Sequence, residues 1–231
     1  VGSDNIAALK IEAAAQALTS VRSGMTLGLG TGSTAREFVR LLGEKLMTGE
    51  LSGISAVCTS IVTQTQAESL GIPILQPHSK PSIDLAVDGA DEIDPDLRLI
   101  KGLGGALLRE KIVEQASRRF IVIADESKLV ARLGRGRLPV EVVRFASPWI
   151  EERLRDAGLD PVLRARDGAP FLSDEGNWIL DIRIPPDRDI ADVVSDLGRH
   201  AGVVETGFFP REATEALVAA TGGVRRFVRP A

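Results

Sequence analysis

Met25-Thr26-Leu27-Gly28-Leu29-Gly30-Thr31-Gly32-Ser33-Thr34 passes from a short apolar run through a glycine-rich turn into a stretch with helical spacing. Residues 25–29 read as a buried strand. Residues 34–46 read as a helix, with Phe38, Leu41, Leu42 and Lys45 at three- and four-residue steps. A strand without polar alternation that feeds a glycine turn and a helix suits a parallel sheet covered on both faces.

The neighbouring segments repeat that unit. Upstream, Asp4 is expected to cap a helix over 5–19, with Ile6, Leu9, Ala13 and Gln16 on one face. Downstream come a strand over 54–58 and a helix over 61–70 stopped by Gly71. A strand over 83–87, a helix over 107–117 and a strand over 120–124 follow. After Asp125 the rhythm changes. Residues 132–137 form a polar, glycine-containing connector. Then come a strand over 140–145, and a helix over 148–157 with Ser147 as cap and Pro148 in its first turn. Strands over 161–165 and 178–184 are joined through turn residues 173–177, and a helix over 189–197 and a strand over 203–208 complete the series. This β-α-β-β-α-β order is the split, ferredoxin-like pattern, and it predicts a second, smaller domain. Residues 213–228 are long enough to return to the first sheet. The expected division is 1–133 with 210–231 for the large domain and 134–209 for the small one. No internal repeat is visible.

Composition narrows the function classes. With 231 residues, 44% of them hydrophobic, the chain has material for a sizeable core. A net charge of −4, from 28 basic and 32 acidic residues, argues against a nucleic-acid binder. No apolar run approaches the ~20 residues of a membrane span. Residues Val1 to Asn5 lack a basic stretch followed by an apolar core, so no secretory signal is expected. The single cysteine, Cys58, excludes an internal disulfide and fits a reducing, cytoplasmic setting. It is expected as a buried strand residue rather than a nucleophile. His78 and His200 have no His or Cys at ligand spacing, so no metal site is expected. Trp149 and Trp178 are expected in the small-domain core.

Three segments carry possible chemistry. The first is the turn itself. Its glycines let backbone N–H groups approach an anion, and the helix start adds roughly +0.5 of a charge. Hydroxyls of Thr31, Ser33 and Thr34 could add donors. It is not a dinucleotide fingerprint, because Ser33 stands at the third glycine, and not a P-loop, because no Lys follows. A tight turn without a ligand is the alternative. The second segment, residues 84–94, carries Asp84, Asp88, Asp91, Glu92 and Asp94 after an apolar strand. Asp88 falls at the strand's carboxyl end, where open parallel sheets bind ligands. A solvated acidic loop is the alternative, and the spacing is wrong for a calcium loop. The third segment runs Lys101-Gly102-Leu103-Gly104-Gly105 into a helix with Glu110 in its first turns. The helix dipole would favour an ionised carboxylate, as proton abstraction beside a carbonyl requires. Ordinary helix-start preference for Glu, which is common, is the alternative.

Together the segments closely resemble the ribose-5-phosphate isomerase family, type A. The resemblance rests on 30–35, on Val87-Asp88-Gly89-Ala90-Asp91-Glu92, and on Lys101-Gly102 through Arg109-Glu110-Lys111. It continues through 123–128, Leu138-Pro139-Val140-Glu141-Val142 and 202–209. It implies a Rossmann-like parallel-sheet domain and a small ferredoxin-like α+β domain used in assembly. It also implies homodimers or homotetramers. The implied reaction is interconversion of D-ribose 5-phosphate and D-ribulose 5-phosphate through an enediolate, in the non-oxidative pentose phosphate pathway, with no cofactor and no metal. Glu110 is the implied base, with Lys101, Asp88 and Asp91 also catalytic. Substrate contacts are implied at Thr31, Gly32, Ser33, Thr34, Asp88, Gly89, Ala90, Asp91, Lys101, Gly102, Leu103, Gly104 and Lys128. Lys10 is a further candidate counter-charge for the phosphate. Two departures stand out. Leu103 interrupts the family's glycines, and Leu108 stands where threonine is common. Two other classes remain open: a non-catalytic sugar-phosphate sensor, and a transferase with a Glu nucleophile.

Overall fold

A computed structural model describes residues 3–229. Val1 and Gly2, part of the stretch read for a secretory signal, lie outside the described residues.

The chain begins with α1 (Ser3–Leu18), β1 (Thr26–Leu29), α2 (Ser33–Met47), β2 (Ser55–Cys58), α3 (Ile61–Ser69) and β3 (Leu85–Asp88). Two short strands, β4 (Glu92–Ile93) and β5 (Leu99–Ile100), precede α4 (Leu107–Gln115) and β6 (Phe120–Asp125). Next come β7 (Arg137–Val142), α5 (Ser147–Asp156), β8 (Val162–Leu163), β9 (Ala165–Arg166), β10 (Ala169–Pro170), β11 (Trp178–Arg183), α6 (Ile190–Leu197) and β12 (Val203–Thr206). The chain closes with β13 (Phe208–Phe209), β14 (Glu215–Ala220) and β15 (Gly223–Val228).

The main sheet has the order β15-β14-β6-β3-β1-β2, parallel except for the β14–β15 hairpin. Its central strands are buried along their whole length because alternate residues feed two cores. Leu27, Leu29, Leu85, Val87, Ile121 and Ile123 pack with α1 and α2 residues such as Ala13, Phe38 and Leu42. Ala86, Phe120, Val122, Ala216 and Val218 face the other way, onto Leu99 and Phe209. The chain runs from β1 outward to β2, then back across β1 to β3. The strand order therefore reverses between β1 and β3, at the ends carrying Gly30 and Asp88. Such a switch point opens a crevice beyond the strand ends.

The smaller sheet has the order β12-β7-β11-β8, wholly antiparallel, with α5 and α6 contributing Ile150, Leu154, Val193 and Leu197 to its core. That is the ferredoxin-like arrangement. Several local expectations shift. The helix α1 already includes Asp4, so Asp4 does not precede it as a cap. Strand β7 ends at Val142, and Phe145 lies in a following turn, 81% exposed. Ser147 is inside α5 and makes no capping bond; Ala146 takes the cap position. Trp149 is 57% exposed against Phe145, not in the core. Trp178 does pack against the small core. Cys58 is half-buried at the end of β2, and burial pushes its thiol up to about 12, so it is no nucleophile.

A feature without a signature in the sequence joins the two sheets. Strands β13, β5 and β4 form a three-stranded antiparallel ribbon. Ile100 and Phe208 belong to the small core, while Leu99 and Phe209 belong to the large one. Lys101 leaves the end of this ribbon, with its N–H donated to the Gly207 carbonyl at 2.9 Å.

Candidate active site

Gly30 continues β1 past the sheet, donating its N–H to the Val87 carbonyl at 3.0 Å. It must be glycine: a Cβ there would lie 2.1 Å from the Asp88 carboxylate. That close approach lets Asp88 Oδ1 accept from the N–H groups of Thr31 at 2.9 Å and Gly89 at 2.6 Å. One buried carboxylate thus fixes both turns of the crevice. Gly32 has φ of +105° and provides no side-chain cap to α2. The uncapped first turn leaves helix-start N–H groups available to an anion. Ser33 and Thr34 line the cavity beside them. The Thr31 hydroxyl is engaged beneath the loop: it lies 2.7 Å from Thr59 Oγ1 and donates to Ser60 Oγ at 2.8 Å. Thr63 Oγ1 in turn donates to the Gly30 carbonyl at 2.8 Å. Thr31 therefore braces the turn, and its hydroxyl proton is not free for an anion.

The acidic run of 84–94 is sorted by its neighbours. Asp84 accepts from the Thr26 N–H, Glu92 from the N–H groups of Gly134, Arg135 and Gly136, and Asp94 pairs with Arg98. Only Asp88 and Asp91 reach the crevice region. Asp91 lines it, and Asp88 lies directly beneath. Among the described residues no group of three or more His, Cys, Asp and Glu is arranged to hold a metal ion.

Lys101 stands at the centre and is 2% exposed. Its Nζ donates to the Gly89 carbonyl at 2.6 Å. It lies 3.0 Å from Asp88 Oδ2, 3.6 Å from Glu110 Oε1 and 3.3 Å from Glu114 Oε1. Glu110 and Glu114 are one helical turn apart on α4, so both project to the same side. Oε2 of each is buried without a hydrogen-bond partner. One ammonium cannot neutralise three buried carboxylates. Burial drives Glu110 up to about 8 against the opposing pull of Lys101, with Asp88 and Asp91 adding to the rise. Burial likewise holds Glu114 well above the usual carboxylate range. Burial alone would lower Lys101, but Asp88, Glu110 and Glu114 outweigh it and hold the ammonium above the ordinary lysine value. Near neutral pH burial therefore favours the protonated form at Glu110 and at Glu114. The helix-start argument for an ionised Glu110 is corrected here: burial raises its carboxyl in the free site.

The glycine loop shows what Leu103 does. Gly102 and Gly105 have φ of +96° and +89°, where side chains are strained. A Cβ at Gly102 would meet Leu107, and one at Gly105 would meet the Phe171 ring at 2.4 Å. Leu103 is not in the left-handed region, is 53% exposed, and does not line the cavity. Its part is played by the backbone, whose N–H donates to Asp91 Oδ2 at 3.0 Å. Leu103 as a side-chain contact to substrate is thus set aside.

A cavity of about 260 Å³ draws these pieces together. Of the expected residues, Thr31, Gly32, Ser33, Thr34, Gly89, Ala90, Asp91, Lys101, Gly102, Gly104, Glu110 and Lys128 line it, and so does Lys10. Asp125 and Ser127 line it too, though neither was expected as a site residue; Asp125 caps the turn carrying Lys128 by accepting from the Ser127 N–H at 3.0 Å. Glu114 was also missed. The signal for it was present: an acid four residues beyond Glu110 shares its helix face. Cations at Lys10 and Lys128, a helix start and a buried acid–base cluster suit a small phosphorylated molecule with a proton to move.

Comparison with known proteins agrees with this chemistry. The family model for ribose 5-phosphate isomerase A (phosphoriboisomerase A) matches residues 55–223. Ribose-5-phosphate isomerase A of Deinococcus radiodurans is 45% identical over 97% of this chain and 100% of its own length. A solved D-ribose-5-phosphate isomerase in complex with phospho-erythronic acid is 41% identical, with a TM-score of 0.93 over 97% of this chain and 100% of that one. Ribose 5-phosphate isomerase from Plasmodium falciparum is 36% identical, with a TM-score of 0.93 over 97% of this chain and 100% of that one.

Proposed function

The chain belongs to the ribose 5-phosphate isomerase A family, and from that premise we propose how its own residues divide the work. The enzyme interconverts D-ribose 5-phosphate and D-ribulose 5-phosphate, an aldose–ketose isomerisation. Its substrate phosphate sits at Gly32, Ser33 and Thr34, against the uncapped start of α2, with Lys10 and Lys128 as counter-charges. Phosphate binding far from the reacting carbons holds them against the base. Glu110 takes the proton from C2 of the open-chain aldose and returns it to C1. As the C2–H bond breaks, its electron pair forms the C1–C2 double bond, and the carbonyl oxygen becomes an enediolate oxygen. Lys101 meets that negative charge in a site shielded from water. Asp91, with Asp88 beneath it, exchanges the hydroxyl proton between O1 and O2. Glu110, Lys101, Asp88 and Asp91 thus form the catalytic set, and Gly89, Ala90, Gly102 and Gly104 shape the walls around the sugar.

The observation that carries this reading is the Glu110 carboxylate 3.6 Å from the buried Lys101 ammonium, in one cavity with the glycine turn. A sensor needs the turn but not the acid–base pair. Glu110→Gln should abolish turnover of ribose 5-phosphate while leaving sugar-phosphate binding within a few-fold. Near wild-type turnover in that variant would remove Glu110 as the base. The reaction as read needs no metal and no cofactor, because Lys101 supplies the positive charge. Loss of activity in excess chelator that a divalent ion restores would refute that part.

The division into a catalytic unit (1–133 with 210–231) and a smaller unit (134–209) that serves assembly belongs to the same reading. An apolar groove along Val143, Phe145, Trp149 and Gly202 supports it, with Phe145 and Trp149 both exposed. A homodimer or homotetramer is the assembly expected, and light scattering of the wild type against F145E checks it. A cytoplasmic setting is supported by the lone, non-nucleophilic Cys58. Among the described residues no helix is long and apolar enough to cross a membrane.

A further inference from the structure

The small domain reaches the glycine loop of the active site through Arg164. Arg164 follows β8, is 13% exposed at its side chain, and is locked by Asp181 of β11. Its Nε donates to Asp181 Oδ2 at 2.8 Å, and its second terminal nitrogen to Oδ1 at 2.5 Å. The remaining nitrogen, Nη1, donates to the carbonyls of Gly102 at 2.8 Å and Leu103 at 3.1 Å. The same hairpin sets the Phe171 ring against Gly105, where a Cβ would be 2.4 Å from it, and ties the Phe171 N–H to the Arg164 carbonyl at 2.9 Å. Two independent contacts from the small domain therefore hold both ends of the 102–105 loop. That loop supplies two cavity-lining residues, Gly102 and Gly104, and the N–H that anchors Asp91.

We propose that Arg164 is a positioning residue for the isomerisation: it touches no substrate, but it holds the Gly102-Leu103 backbone so that the loop wall and Asp91 meet the enediolate in one geometry. A planar guanidinium suits this task. One edge is fixed bidentately by a carboxylate, and the opposite nitrogen is left to bridge two carbonyls. Glycine-rich backbone has many alternative conformations, so an external clamp is the means of ordering it. The clamp also accounts for the Leu103 departure. Its carbonyl and N–H are both bound to protein, so the side chain is free to point into solvent.

The inference rests on the isomerase reading, and the experiment keeps the two apart. Wild type, R164M, R164K and D181N are assayed with ribose 5-phosphate, with folding followed by circular dichroism and Tm. R164M is expected to lose on the order of 10²-fold in kcat, the scale on which a small misplacement of reacting groups acts. KM should change by less than about threefold, because the phosphate turn lies on other elements. R164K keeps the charge but cannot bind Asp181 and two carbonyls at once, so it should recover only part of kcat. D181N should lower the same parameter, by about tenfold. A merely structural role would lower Tm and the amount of active enzyme while leaving kcat per folded site unchanged. A folded R164M with kcat within about twofold of wild type, or a loss confined to KM, overturns the proposal. If R164M does not fold, R164K and D181N decide by the same criteria. If wild type itself fails to turn over ribose 5-phosphate, the isomerase reading falls instead.

Discussion

The charge state of the buried cluster leads to a sharp test of Glu110 as base. Burial places its carboxyl at about 8 in the free site. A base works only when deprotonated, so its ionised fraction should be about 10% at pH 7, about 50% at pH 8 and about 90% at pH 9. Since kcat/KM reports the free enzyme, it should rise about tenfold from pH 7 to pH 9 and then level. The assay is initial-rate formation of ribulose 5-phosphate at low substrate, with the substrate phosphate about 90% or more dianionic throughout that range. The same group makes a second, opposite demand. Its folded value lies above its ordinary 4.5, so the folded state binds the proton more tightly than the unfolded chain. That stability is fully present below about pH 4.5 and is lost as pH rises through about 8. The ligand-free enzyme should therefore become more active and less stable over the same interval, and E110Q should flatten the fall in Tm. A kcat/KM that is level between pH 7 and pH 9 would refute the argument. So would a Tm profile that E110Q leaves unchanged.

Other perturbations follow from the same geometry. Lys101→Met removes the cation facing Asp88, Glu110 and Glu114; the unpaired carboxylates should cost about 3–5 kcal/mol by denaturant titration, and kcat should fall by about 10²–10³-fold. Gly30→Ala forces a methyl into the Asp88 carboxylate and should abolish activity, with both turns displaced; a variant with near wild-type rate would show that the Thr31 and Gly89 contacts are dispensable. Leu103→Gly removes an exposed side chain and no hydrogen bond, so kcat should stay within about threefold of wild type, with any loss appearing as a lower Tm from added loop freedom.

Much of this molecule is written in short-range patterns. The glycine turn between an apolar strand and a helix, repeated with three further strands, determines a parallel sheet, because side-chain period and turn chemistry are local properties. The β-α-β-β-α-β order after Asp125 determines the second sheet in the same way. The residues around Thr31, Asp88, Lys101 and Glu110 are recognisable because each segment ends at the carboxyl end of a strand or opens a helix, and the fold collects such ends in one crevice.

What the sequence did not reveal depends on what stands next to what. Asp84, Asp88, Asp91, Glu92 and Asp94 look alike along the chain, and only packing sends two of them to the crevice and three to backbone amides or Arg98. Glu110 at a helix start reads as an ionised acid, yet burial beside Asp88 and Glu114 keeps a proton on the cluster. The ribbon that joins the domains pairs residues 92–93, 99–100 and 208–209, and the Arg164 clamp spans 62 residues to the glycine loop. Local patterning determined which elements form. Desolvation and long-range hydrogen bonding, which exist only once the chain has closed on itself, decided the charge of the base and the shape of the pocket it works in.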